Sequence, residues 1–134
     1  MNLLELIYNK PELIINDSTS NLMRVNLPHY NKFRKEDIEK NFSNLLLAFT
    51  KCIENNSADE MISYMDLILN ERFAKGFQIE EVEIALNIFE ESIWKNIYKN
   101  VDEDKQYSAM KLALCILSKA KEELLNDYAM MSKC

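Results

Sequence analysis

Glycine is nearly absent from this 134-residue chain, which contains a single glycine, Gly76, and two prolines, Pro11 and Pro28. Hairpins, β-sandwiches and nucleotide-binding βαβ units need glycine where the backbone adopts a positive φ or approaches a phosphate. The sequence therefore excludes glycine-rich phosphate loops and disfavours an all-β fold. Apolar residues make up 48% of the chain, enough to build a core, so we predict a single all-α domain spanning residues 1–134.

Hydrophobic spacing predicts a compact bundle of four long helices after a short helical N-terminal segment. This segment is the N-terminal arm, residues 1–28, in which Pro11 separates two short helices. Within the arm, the polar run Asn16–Asn21 is predicted to cap the second helix, because its side chains accept bonds from free backbone N–H groups. The core helices occupy residues 35–131 and are predicted near 35–55, 57–75, 78–101 and 105–131.

The single glycine is predicted to form a helix corner. Gly76 stands where a helix commonly ends in a left-handed residue, and Phe77 follows as the apolar contact back onto that helix. Arg72 lies in the last helical turn, where a cation complements the helix dipole. We expect Arg72 to pair with Glu80 or Glu81 and to fix this structural corner. The alternative is that Arg72 anchors an anion or a partner protein.

The helix predicted at 78–101 has apolar residues on two faces. One face forms a regular stripe that ends at Ile97. The second face lies on roughly the opposite side, and we expect it to be covered either inside the monomer or by a second copy of the chain. It is the candidate homodimer interface and consists of Ile84, Ile88, Trp94 and Tyr98.

The chain is acidic, with a formal net charge of −6 and a sequence pI near 4.9. Because its basic residues are scattered, we expect neither nucleic acid nor a membrane surface as a partner.

The N-terminus lacks the cationic region of a signal peptide, and no apolar run approaches the length of a spanning helix. Three cysteines without close spacing exclude a full disulfide framework. Cys52 and Cys115 are predicted to be buried thiols, which favours a cytoplasmic location.

No set of residues predicts catalysis or a bound cofactor. His29 is the only histidine, so clustered zinc ligands and paired di-iron motifs are excluded, and nothing at diagnostic spacing marks a nucleophile. We expect His29 to be a partly exposed loop residue; as a haem or metal ligand it is a weak candidate. The acidic pairs Glu90–Glu91 and Glu122–Glu123 are interpreted as solvated faces with lysine partners such as Lys95 and Lys119.

A stretch from about Tyr30 to Tyr128 resembles a known helical family. The similarity begins with the segment His29-Tyr30-Asn31-Lys32-Phe33, continues with Leu45 and Phe49 on a long helix, and is densest around the corner. The matching corner positions are Arg72, Gly76, Phe77, Ile79, Glu80, Glu81 and Val82. The family is the N-terminal sensory domain of the RsbT co-antagonist (RsbRD-type) regulators. Its members join this domain to an output module, whereas we expect this chain, ending at Cys134, to be a stand-alone version or an excised piece.

The resemblance implies a non-catalytic bacterial signalling module, either a sensory or a protein-interaction domain. We expect it to act through a change of helix packing in a homodimer, with a regulatory protein as a second kind of partner. The alternative is a small-ligand or haem-binding sensor with a globin-like core. A small enzyme ranks last, because no acid–base pair or nucleophile stands out.

Overall fold

The computed structural model describes residues 1–132, and the regular secondary structure of this part of the chain is helical throughout, without a strand. It contains six α-helices and a short 3-10 turn at Tyr30–Lys32. The helices are α1 (Leu3–Asn9), α2 (Pro11–Arg24), α3 (Lys35–Asn55), α4 (Asp59–Ala74), α5 (Ile79–Asn100) and α6 (Glu103–Ser132). The predicted all-α class is confirmed, with the N-terminal arm divided into α1 and α2.

The helices enclose one apolar core. Helix α2 packs against α3 and α5, α3 packs against α4, and both α4 and α5 pack against α6. The centre of the core contains Phe49, Phe89, Ile93 and Leu117, each nearly inaccessible to solvent. The two phenylalanines meet edge to face, with ring centroids 5.9 Å apart, an arrangement that aromatic pairs favour. Met61 and Met65 of α4 are buried in the same core, as methionines commonly are.

The start of α2 differs from the prediction. Pro11 occupies the first helical position, where its missing N–H costs nothing and its fixed φ already suits a helix. The run Asn16–Asn21 therefore lies in the interior of α2, and its predicted capping role is wrong. Ser18 and Thr19 of this run are buried against the rest of the bundle.

The corner between α4 and α5 forms as the sequence predicts. Gly76 has a φ of +87°, a conformation that an L side chain adopts only with strain. The N–H of Gly76 donates to the Phe73 carbonyl and the N–H of Phe77 donates to the Arg72 carbonyl, each at 3.0 Å. This pair of bonds is the Schellman arrangement, and it ends α4 while directing Phe77 back toward Arg72.

The two faces of α5 are covered to different degrees. The predicted stripe is buried, and on the opposite side Ile88 is also part of the core. Ile84 is partly buried against the core, whereas Trp94 and Tyr98 are 38% and 73% exposed. Within this candidate interface, the exposed surface is therefore concentrated at Trp94 and Tyr98, near the C-terminal end of α5.

Several polar and sulfur-containing side chains depart from the expectations. Glu90 is buried and pairs with Lys121 of α6 at 2.8 Å, so its predicted solvated position is wrong. Lys95 pairs with Asp17 of α2 instead, while Lys119 contacts Glu122 as expected. Cys52 is buried as predicted. Cys115 is exposed because it lies on the outer side of α6, and Cys134 lies outside the described residues.

Over residues 1–132, none of the helices combines the length with the apolar character needed to cross a membrane.

Candidate functional site

The candidate site is built around Arg72, whose side chain is only 3% exposed. Three aromatic rings surround its guanidinium carbon, with centroids at 5.2 Å for Phe33, 5.3 Å for Phe77 and 5.8 Å for Tyr30. At these distances each ring attracts the cation through its π-face. We call these three rings and Arg72 the arginine cage.

Two segments far apart in sequence form this cage. Tyr30 and Phe33 come from the turn before α3, whereas Phe77 follows the glycine corner. The Tyr30 ring meets Phe77 and Phe33 edge to face, at centroid separations of 4.9 and 5.7 Å. The sequence identifies both segments separately, but only the fold shows that they meet at Arg72.

Arg72 does not make the predicted pairing with the next helix. Its Nη1 donates to Oε1 of the adjacent Glu71 at 3.1 Å, and the same carboxylate oxygen accepts from Lys75 at 3.0 Å. The expected pairing with Glu80 or Glu81 is wrong, because the Schellman turn leaves the start of α5 beside His29 instead. The Nε of Arg72 is buried and finds no hydrogen-bond acceptor within residues 1–132.

A buried N–H donor without an acceptor lowers the stability of the folded protein. A buried hydrogen-bonding group without a partner costs about 1–3 kcal/mol, and more when it belongs to a charged group. Arginine remains protonated in proteins, so Arg72 does not avoid this cost by losing its charge. Cation–π contacts attract the charge but give the Nε–H no acceptor.

A small cavity of about 50 Å³ lies beside the guanidinium. Helices α2, α3, α4 and α5 all contribute to its wall, which is apolar except near Arg72. The lining includes Leu22, Ile38, Phe42, Leu45, Met65, Ile68, Val82, Ala85 and Leu86, with Tyr30, Asn41, Tyr64 and Arg72 as its polar members. An apolar chamber with a few convergent polar groups is the usual form of a small-molecule site.

A wider cleft of about 480 Å³ adjoins this chamber on the surface between α3 and α4. Four residues, Asn41, Tyr64, Ile68 and Arg72, line both spaces. Arg72 therefore lies at the boundary between a small apolar chamber and a larger, more polar cleft.

Two tyrosines next to Arg72 keep neutral hydroxyl groups. Burial raises the pKa of Tyr64 to about 12, although the nearby Arg72 charge opposes this shift. Burial also raises the pKa of Tyr30, again against the influence of Arg72. The Tyr64 hydroxyl donates to the Asn41 carbonyl at 3.5 Å, a long bond by protein standards. Both phenols are therefore donors near neutral pH.

His29 and Glu81 hold the cage to the corner. Oε1 of Glu81 accepts from the His29 backbone N–H at 2.9 Å, and Oε2 lies 2.7 Å from His29 Nδ1. Oε2 also accepts from the N–H of Gln78, the residue before α5, at 2.9 Å. The His29 ring packs on Phe77 with a centroid separation of 5.0 Å. His29 thus acts as a partly buried structural residue at the corner and is not among the residues that line the chamber.

A second cluster of ionisable groups lies between α4 and α6. Carboxylate oxygens of Asp66, Glu123 and Asp127 all lie within 4.8 Å of one another. Burial, together with the neighbouring Asp66 and Glu123, raises the pKa of Asp127 to about 7. The cluster therefore retains a proton near neutral pH, which reduces the repulsion between its carboxylates where the two helices pack.

Comparisons with protein family models, with curated proteins and with solved structures found no match to this chain. Inference about its function therefore depends on the residues and geometry described above.

The contacts of Glu81 predict a pH dependence of stability. Burial alone would raise the pKa of this carboxyl. The hydrogen bonds from the N–H groups of His29 and Gln78, together with the His29 ring, lower the pKa by more than burial raises it, so the net shift is downward from 4.5. An acid with a lowered folded-state pKa stabilises the fold above its unfolded pKa and loses that contribution as pH falls through the folded pKa. We expect Glu81→Gln to be less stable than the native chain at pH 7, and this difference to shrink between pH 5 and 3.

Urea unfolding across this pH range measures the effect, and Glu80→Gln is the matched control because Glu80 is an exposed acid one residue earlier. The control should follow the native pH profile. Parallel profiles for the native protein and Glu81→Gln would show that the carboxylate does not stabilise the corner.

Proposed function

We propose that this chain is a non-catalytic sensory domain of bacterial signalling that binds a small molecule at the arginine cage. The single observation that carries the proposal is the buried guanidinium of Arg72, a residue that lines a preformed chamber and whose Nε has no acceptor among residues 1–132. A ligand that supplies the acceptor would remove a cost that the folded chain otherwise bears. The resemblance to the sensory domain of the RsbRD-type regulators, which is densest at the corner, supports the same class of function.

The position of the chamber supports a response through helix packing. Its wall includes Leu22 of α2, Phe42 of α3, Met65 of α4 and Leu86 of α5. A ligand that contacts four helices at once stabilises whichever packing arrangement fits it best. Since α4 and α5 both pack against α6, a small change at the chamber would reach the far side of the bundle through these helices.

The small-ligand form of this function has more support than the haem form. A chamber of about 50 Å³ is far smaller than a porphyrin requires. Nδ1 of His29, the haem ligand considered from the sequence, contacts the Glu81 carboxylate, which leaves only Nε2 for a ligand. The ring also lies against Phe77 and close to Gly76, with Nε2 3.5 Å from the position a Cβ on Gly76 would take.

We also propose a homodimer through the exposed part of the candidate interface. Trp94 and Tyr98 of α5 and Tyr107 and Leu114 of α6 all have substantially exposed side chains. Trp94, Tyr107 and Leu114 line a shared surface groove. Aromatic residues of this kind are enriched at protein interfaces. A regulatory protein that binds the same face is the alternative partner.

Ligand binding is tested by ¹H–¹⁵N correlation spectra of the native chain titrated separately with mixtures of small carboxylates, amides, alcohols and amines. We expect at least one class to shift amides of residues that line the chamber. The shifts should disappear in Ala85→Leu, which fills the chamber, and persist in Ala129→Leu, the matched change at an exposed position. If none of the four classes shifts these amides, the proposed sensory function is wrong.

The dimer is tested by size-exclusion chromatography with light scattering. We expect the native chain to elute as a dimer and Trp94→Glu to weaken association by tenfold or more, the equivalent of about 1.4 kcal/mol. Leu47→Glu, at an exposed leucine of α3, is the control and should leave association unchanged. A native chain that remains monomeric at high concentration would contradict the homodimer.

A further inference from the structure

We infer that the ligand of the arginine cage is a short-chain organic carboxylate, with its carboxylate on Arg72 and its hydrocarbon tail in the chamber. This inference rests on the proposed function and adds the chemical class of the ligand. Four observations support it: the charge of Arg72, the local charge balance of the cleft, the neutral hydroxyl donors and the size of the chamber.

The guanidinium of Arg72 has hydrogen-bond donors whose geometry suits a carboxylate. Nη1 of Arg72 is engaged by Glu71, whereas Nε is buried without an acceptor among residues 1–132. The Nε–H and an Nη–H of arginine point in parallel and match the two oxygens of a carboxylate. Charge-assisted hydrogen bonds are stronger than neutral ones, so an anionic ligand gains more here than an amide or an alcohol.

The local charge balance also favours an anion. The cleft is lined by three basic residues, Lys40, Arg72 and Lys75, and by two acidic residues, Asp37 and Glu71. It therefore carries one excess positive charge in a chain whose formal net charge is −6. A locally positive cleft on an acidic protein attracts small anions in preference to cations.

The hydroxyl groups of Tyr30 and Tyr64 complete the polar end of the site. Both tyrosines line the chamber beside Arg72. Their raised pKa values keep both phenols uncharged near neutral pH, so they do not repel an anion. Because the bond from Tyr64 to Asn41 spans 3.5 Å, its hydroxyl can exchange this weak partner for a carboxylate oxygen.

The chamber sets the length of the tail. A water-sized group requires roughly 10–15 Å³ measured in this way, so about 50 Å³ accommodates a tail of a few non-hydrogen atoms. The side chains around the tail are apolar, among them Met65, Val82 and Leu86, and would not satisfy a second polar group. These dimensions point to a monocarboxylate of butanoate size, with its single charged end at the boundary of the cleft.

The experiment compares four probes of similar size by calorimetry and by ¹H–¹⁵N spectra of the full chain: butanoate, butanamide, butan-1-ol and butylammonium. We expect butanoate to bind most tightly and to shift amides around the chamber. Arg72→Met removes every guanidinium donor and should weaken butanoate binding tenfold or more, in line with loss of a charge-assisted hydrogen bond. Arg24→Gln is the matched control, since Arg24 is an exposed arginine away from the chamber.

Two further variants test the same binding site if Arg72→Met does not fold. Tyr64→Phe should weaken butanoate binding severalfold by removing one hydroxyl donor, and Ala85→Leu should abolish binding by filling the chamber.

Equal or tighter binding of butanamide would overturn the carboxylate assignment while leaving the proposed sensory function intact. Loss of butanoate binding in Arg24→Gln as well would identify general surface attraction and overturn the assigned site. If none of the four probes binds but another class in the broader titration does, the chemical class is wrong; if nothing binds in either experiment, both proposals fail.

Discussion

The burial of the Arg72 charge sets the requirements that the surrounding side chains of this corner must meet. Removing a guanidinium almost completely from water has a large desolvation cost, which attractive contacts within the protein must offset. Three aromatic rings and the Glu71 carboxylate supply part of it. The fold around the corner positions these groups. Gly76 permits the turn that directs Phe77 back onto Arg72. Glu81, at the start of α5, binds His29 and so holds the Tyr30–Phe33 segment in place.

These contacts do not satisfy every donor of Arg72, and the proposed function rests on the donor that is left without an acceptor. Nε of Arg72 has no acceptor among the described residues, and Arg72 lines a chamber to which four helices contribute. A methionine at this position would keep the apolar stem and the contact with Phe77 without an orphaned charge. Buried charges that are not needed for stability are a common feature of binding sites, where a ligand supplies the missing partner.

Much of the fold could be predicted from the sequence because its signals are local. The scarcity of glycine and the spacing of apolar residues predict helices, and the order Arg72, Gly76, Phe77 predicts the corner that the structure shows. The arginine cage could not be predicted, since about forty residues separate Tyr30 from Arg72 and no periodicity connects them. The buried Glu90–Lys121 pair and the Asp127 cluster were missed for the same reason: each joins two helices whose mutual rotation only the packing determines.

We propose that Arg72 serves ligand binding and that its charge is not required for the stability of the corner. The most direct measurement is the free energy of unfolding of Arg72→Met and of the native chain, compared by urea denaturation without added ligand. Replacing a buried ion pair by apolar residues is often neutral or stabilising, whereas removing one partner is destabilising when it leaves the other charge buried. Glu71 is half exposed and keeps its pairing with Lys75, so we expect Arg72→Met to be at least as stable as the native protein. A loss of more than about 2 kcal/mol, comparable with the loss of a well-packed core side chain, would contradict the account and assign Arg72 a structural role.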